Sequence, residues 1–96
     1  MSDYYILEGH KAVKTDLSTW AKWLESAEHH VADEPIGDVR VSTIFLGLDH
    51  SFGFGPPLLF ETMVFGGPLD QNQDRYTTWE EAKEGHKKMV SRVKEE

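Results

Sequence analysis

The sequence predicts a two-layer α+β sandwich, an antiparallel four-stranded sheet with two helices on one face in the order ββαββα. Three observations carry it. Residues 39–49 and 58–66 are rich in Val, Ile, Phe, Leu and Thr, and the SFGFGPP between them continues neither strand, so the pair reads as a β-hairpin. Two other segments, starting at residues 17 and 79, repeat apolar residues at three- and four-residue steps, the mark of an amphipathic helix. Finally, 96 residues bury only about two thirds of their surface and supply one core, so residues 1–96 form a single domain.

In chain order, residues 4–7 (YYIL) form a short strand, Glu8-Gly9-His10 turns, and residues 12–14 return. Thr15-Asp16 offers an N-cap, and Leu17, Trp20, Trp23, Leu24, Ala27 and Val31 share one helical face. That helix is expected to end near Ala32, because Pro35 disfavours helical geometry at Glu34, and Gly37-Asp38 turns the chain into the hairpin. After the hairpin, PLDQNQDRY reads as a polar loop. Thr77 and Thr78 each precede a glutamate by three residues, a capping box in two possible registers. The second helix then carries the stripe Trp79, Ala82, His86, Met89, Val93, with acidic residues early and basic ones late, as the helix dipole prefers. The three tryptophans are expected to be largely buried.

Composition narrows the function classes. Ten basic residues against 17 acidic leave a net charge of −7, which argues against direct nucleic-acid binding and against an anionic membrane surface. Without cysteine there are no disulfides or thiolate metal sites, which suits a reducing cytoplasm. The N-terminus lacks a basic-then-apolar leader and no apolar run approaches membrane-spanning length, so a soluble, cytoplasmic protein is expected.

Strand alternation bears on the sheet's second face. If Val41, Thr43 and Phe45 face the helices, then Ile44, Leu46 and Leu48 face away, together with Leu59, Met63 and Phe65. An outer face that apolar is the expected interface of a two-fold homodimer. Glu61 shares it in this register, pairing with Arg40 or a partner chain; in the other register it is a buried carboxylate in need of a cation.

The segments YYILEG, VRVSTIFLGLDH, PPLLFETMVFGG and RYTTWEEAKEGH resemble a group of small uncharacterised proteins encoded by bacteriophages and prophages. The resemblance spans nearly the whole chain. It implies a phage-type accessory protein in a host cytoplasm, acting on host machinery or a defence factor, and it transfers no catalytic residue.

Candidate chemical groups are few. Asp49 and His50 sit where the first hairpin strand leaves the sheet, but as neighbours they point to opposite faces, and a strand-end aspartate commonly bonds nearby amides. Phe52 and Phe54, at the hairpin tip, are candidate anchors for a partner. His86 falls within an apolar stripe and needs partners for its ring nitrogens, expected from Glu61, Asp49 or Tyr76. Arg75 and Tyr76 precede the second helix, whose N-terminal amides favour an anion, which makes Arg75 the first ligand candidate. His29 and His30 diverge on a helix and no HExxH occurs, so neither a metal nor a cofactor is expected. Glu25, Glu28, Asp33, Glu34 and Asp38 gather toward the end of the first helix as an acidic patch suited to a basic partner.

The composite expectation is a non-enzymatic interaction module binding and inhibiting a host or defence factor. Its alternatives are a nucleotide-sequestering protein and a small enzyme using His86, Asp49, His50 and Glu61.

Overall fold

In the computed structural model, which describes residues 3–26, 29–51 and 55–96, the longest element is the C-terminal helix, and its start has a definite cause. Thr78 Oγ1 accepts from the Glu81 amide at 3.1 Å, while the Glu81 carboxylate accepts from the Thr77 and Thr78 amides, also at 3.1 Å. Of the two capping registers, the one built on Thr78 is therefore used. The 17 residues that follow, Trp79–Glu95, bury Ala82, His86, Met89, Val90 and Val93 as one stripe.

The chain runs β1 (Tyr4–Glu8), β2 (Lys11–Thr15), α1 (Leu17–Ser26), β3 (His30–Ile36), β4 (Val39–Phe45), β5 (Phe60–Phe65), β6 (Gln73–Tyr76) and α2 (Trp79–Glu95). It is an α+β fold with a four-stranded antiparallel sheet and two helices, but the sheet is β3-β4-β5-β6, with β1 and β2 paired separately as a hairpin. The predicted ββαββα order thus becomes ββαββββα, with two strands the sequence reading did not place.

β3 replaces the expected last turns of the first helix. Val31 and Ala32 fit a helical spacing, but pairing with β4 wins, with Asp33 opposite Ser42, Glu34 opposite Val41 and Ile36 opposite Val39. Gly37, at φ 60°, opens the two-residue turn between them. Pro35 is tolerated because β3 is an edge strand. β6 forms within the expected polar loop. Its turn is closed by Asp70 Oδ1 accepting from the Gly66 amide at 2.6 Å and by the Gln71 amide donating to the Val64 carbonyl at 2.8 Å.

The helices do not lie side by side on one face. α2 packs across all four strands of the sheet, whereas the main neighbour of α1 is β1. The N-terminal hairpin joins the end of β4 through Tyr5, whose amide donates to the Gly47 carbonyl at 2.8 Å, and through a bridge between Tyr4 and Leu48.

Beneath α2 the core has two apolar clusters. Val41, Val64, Met89, Val90 and Val93 form one, toward the helix C-terminus. Phe45, Leu59, Phe60 and Ala82 form the other, onto which Tyr5, Leu7, Trp23 and Trp79 pack from outside. Trp20, Trp23 and Trp79 are half-buried, short of the expectation, because the N-terminal unit docks at the end of the main core rather than inside it. Between the clusters lie three buried polar residues, Thr43, Thr62 and His86.

Candidate functional site

Alternation along the central strands builds the polar layer. Val41, Thr43 and Phe45 on β4 and Phe60, Thr62 and Val64 on β5 all face α2, and the register sets Thr43 opposite Thr62. Each strand therefore carries one hydroxyl at the centre of an apolar triplet. His86 comes down from α2 between them, 3% exposed, with Nδ1 2.7 Å from Thr43 Oγ1. Its Nε2 donates to Glu34 Oε1 on β3 at 3.2 Å. Of the expected partners, Glu61 and Asp49 are not the ones found, and Tyr76 connects only through Thr62, whose Oγ1 accepts from Tyr76 Oη at 3.2 Å. Burial pushes the Tyr76 phenol above its ordinary pKa, so it keeps its proton.

The sequence candidates do not include Thr43 and Thr62, and they hold Glu34 only as a member of the acidic patch. The two threonines had a signal, being the lone hydroxyls in two inward-facing apolar alternations. The pairing of Glu34 with His86 had no signal, because β3 itself reads as the end of a helix.

Glu61 lies on the opposite, outer face, and its partner there is Arg75. Arg75 Nε donates to Glu61 Oε2 at 3.0 Å, and the two residues sit directly across from each other on β6 and β5. Glu61 stands opposite Ile44, and Arg40 is taken instead by Asp33, its Nε donating to Asp33 Oδ1 at 2.7 Å. The Arg40 guanidinium holds the Asp33 carboxyl below its ordinary pKa.

The expected anion site before α2 is thus partly engaged from within: Arg75 Nε by Glu61, and the Thr77 and Thr78 amides by Glu81. Of the acidic residues, Asp33 and Glu34 belong to β3 rather than to a helix end, paired with Arg40 on β4 and His86 on α2, and Glu28 lies outside the described residues.

At the end of the hairpin, Asp49 Oδ1 accepts from the amides of Ser51 at 2.8 Å and Leu58 at 3.0 Å. Burial pulls that carboxyl upward, but the two amide bonds outweigh it and hold the pKa below the ordinary value. His50 Nδ1 donates to the Leu48 carbonyl at 2.8 Å. Both residues therefore secure the loop, and His86, Glu61 and the Asp49-His50 pair occupy three separate places rather than one site. Phe52 and Phe54 lie outside the described residues.

The proposed dimer residues Ile44, Leu46, Leu48 and Met63 are half-buried, and Phe65 is 51% exposed. At the far end of α2 an apolar cavity of about 330 Å³ lies among Ile36, Val39, Leu69 and Val93. Among the described residues no group of three His, Asp or Glu side chains converges as a metal site would, and no helix is long and apolar enough to cross a membrane. Comparison with protein-family models, with curated proteins and with solved structures finds no match.

Proposed function

We propose that the protein is a non-catalytic interaction module that pairs with a second copy of itself through the outer face of the four-stranded sheet. The observation that carries this reading is the charge arrangement around the apolar residues of that face. Ile44, Met63 and Phe65 sit on adjacent strands, and the charged groups beside them are closed into two ion pairs, Asp33 with Arg40 and Glu61 with Arg75. These four charges sum to zero on a chain whose net charge is −7, so a second acidic copy meets least repulsion there. Strands of this length at a spacing of about 4.8 Å offer a face roughly 20 Å on a side, at the small end of specific interfaces, which implies a reversible dimer.

In line with the phage-type resemblance, we place this dimer among accessory proteins that act on a host or defence factor in the host cytoplasm. The nucleotide-sequestering alternative has less support, because Arg75 is ion-paired with Glu61 and the amides before α2 are taken by Glu81. An enzymatic reading has less still, with its candidate groups apart and His86 sealed under α2.

Sedimentation equilibrium over a range of concentrations tests the pairing. The wild type should shift reversibly from monomer to dimer, and Phe65→Asp, at a position already open to solvent, should stay monomeric with an unchanged melting temperature. A wild type that is monomeric at its highest soluble concentration, or a Phe65→Asp variant that still dimerises, would overturn the reading.

A further inference from the structure

Five polar side chains, each from a different element, form one unbroken line through the middle of the core. Tyr76 Oη and Thr62 Oγ1 are 3.2 Å apart, Thr62 and Thr43 hydroxyls 2.6 Å, Thr43 Oγ1 and His86 Nδ1 2.7 Å, and His86 Nε2 and Glu34 Oε1 3.2 Å. The three inner members are sealed from solvent, while Glu34 and Tyr76 reach the surface from the two opposite edge strands.

Counting protons fixes the direction of every link. An ionised Glu34 only accepts, so the neutral ring must carry its proton on Nε2, which leaves Nδ1 as an acceptor. Thr43 then donates to Nδ1, Thr62 to Thr43 and Tyr76 to Thr62, with all donors pointing toward Glu34. A second proton on the ring changes Nδ1 into a donor. Thr43 must now accept from it and donate to Thr62, and Thr62 must donate to Tyr76 Oη. The phenol proton is displaced outward.

We infer that this line is a polarity relay, in which protonation of His86 beside β3 turns the Tyr76 hydroxyl on the opposite sheet edge from an inward donor into an outward one. The outward direction leads into a surface cavity of about 380 Å³ lined by Asp74, Glu81, Glu84 and Lys88. Gly85 holds the ring in place for this: a Cβ there would come within 2.3 Å of the Tyr76 ring, so only a glycine lets the ring lie against α2. The charged groups facing His86 are few. β3 supplies Glu34 and, farther off, Asp33; β4 and β5 present only the neutral threonines, and β6 presents Tyr76 with Asp74 near it.

Nuclear magnetic resonance of the histidine ring nitrogens and the tyrosine Cζ carbons tests the relay on the intact chain. At neutral pH, His86 should show the Nε2–H tautomer, with the Thr43 hydroxyl proton coupled to Nδ1. On acidification, the Tyr76 Cζ resonance should move with the same midpoint as the His86 ring. Thr43→Val, nearly isosteric but without the hydroxyl, should abolish that shared midpoint while His86 still titrates, and Thr43→Ser should keep it. An Nδ1–H tautomer at neutral pH overturns the relay, as does a Tyr76 response unchanged in Thr43→Val. Unfolding of the chain together with His86 protonation overturns it equally.

Discussion

Residues 3–26 contribute no fully buried side chain, whereas every buried apolar residue among those described lies between Val41 and Val93. The larger region is held by volume: Phe45, Phe60, Val41 and Val64 are essentially sealed between the sheet and α2. The N-terminal region is held by aromatic surfaces. Trp23 meets Phe45 edge-on at 5.6 Å, Tyr4 tilts against Trp20 at 5.2 Å, and His10 stacks on Trp79 at 3.9 Å. Contacts of the first kind are lost only by opening the whole core, but contacts of the second kind can be released by moving one unit as a piece. The comparison teaches that burial and attachment are separate properties here, and that the hairpin with α1 is the less stable part.

The largest expected effect tests the sealed region. Phe60 is 0% exposed, so Phe60→Ala should cost about 3 to 5 kcal/mol through lost burial and a cavity. In denaturant unfolding both regions should lose structure together. A change no larger than that of an exposed substitution would mean that the core is not where the contrast puts it.

Next in size is the joint between the regions. Gly47 has φ 74°, and a Cβ there would come 2.3 Å from Trp20 Nε1, so Gly47→Ala combines backbone strain with a clash and should cost about 1 to 3 kcal/mol. Amide exchange should rise across residues 3–26 while protection in α2 persists. Uniform loss of protection would break the contrast, since the two regions would then be one cooperative unit.

The smallest effect sharpens it with acid. Asp16 caps α1 by accepting from the Thr19 amide at 2.7 Å, and that bond holds its carboxyl below the ordinary pKa. The stabilisation is therefore complete above about pH 4 and is lost as the pH falls through the lowered folded value. The first turn of α1 should therefore fray as the pH falls below about 4 and through that lowered value. Asp16→Asn should flatten this pH dependence; if the amide exchange of α1 kept the same acid response in that variant, Asp16 would not be its source.

How much of this was readable in advance depended on where each element's stabilisation resides. α2 and the β4–β5 pair carry their own evidence, a capping box and clean alternation, so the inward set Val41, Thr43, Phe45 and the burial of His86 could be read off directly. β3 could not be, because His30–Ile36 contains a proline and three charged or imidazole side chains, and its strand character comes from pairing with β4 rather than from intrinsic preference. β6, with the sequence QDRY, is likewise a strand only because β5 offers an unpaired edge. The partners of His86 and Arg75 followed those two strands out of view, since Glu34 belongs to one and the Glu61 pairing depends on the other.

The edges of the sheet carry one more consequence. β3 is broken by an irregular register between His30 and Ala32 and ends beside Pro35, while β6 is only four residues long. Neither presents the long, regular row of amides and carbonyls that a stranger's strand needs for growth side by side. Growth by strand addition is thereby discouraged at both margins of the four-stranded sheet, and two copies meeting face to face would close its outer face to a third.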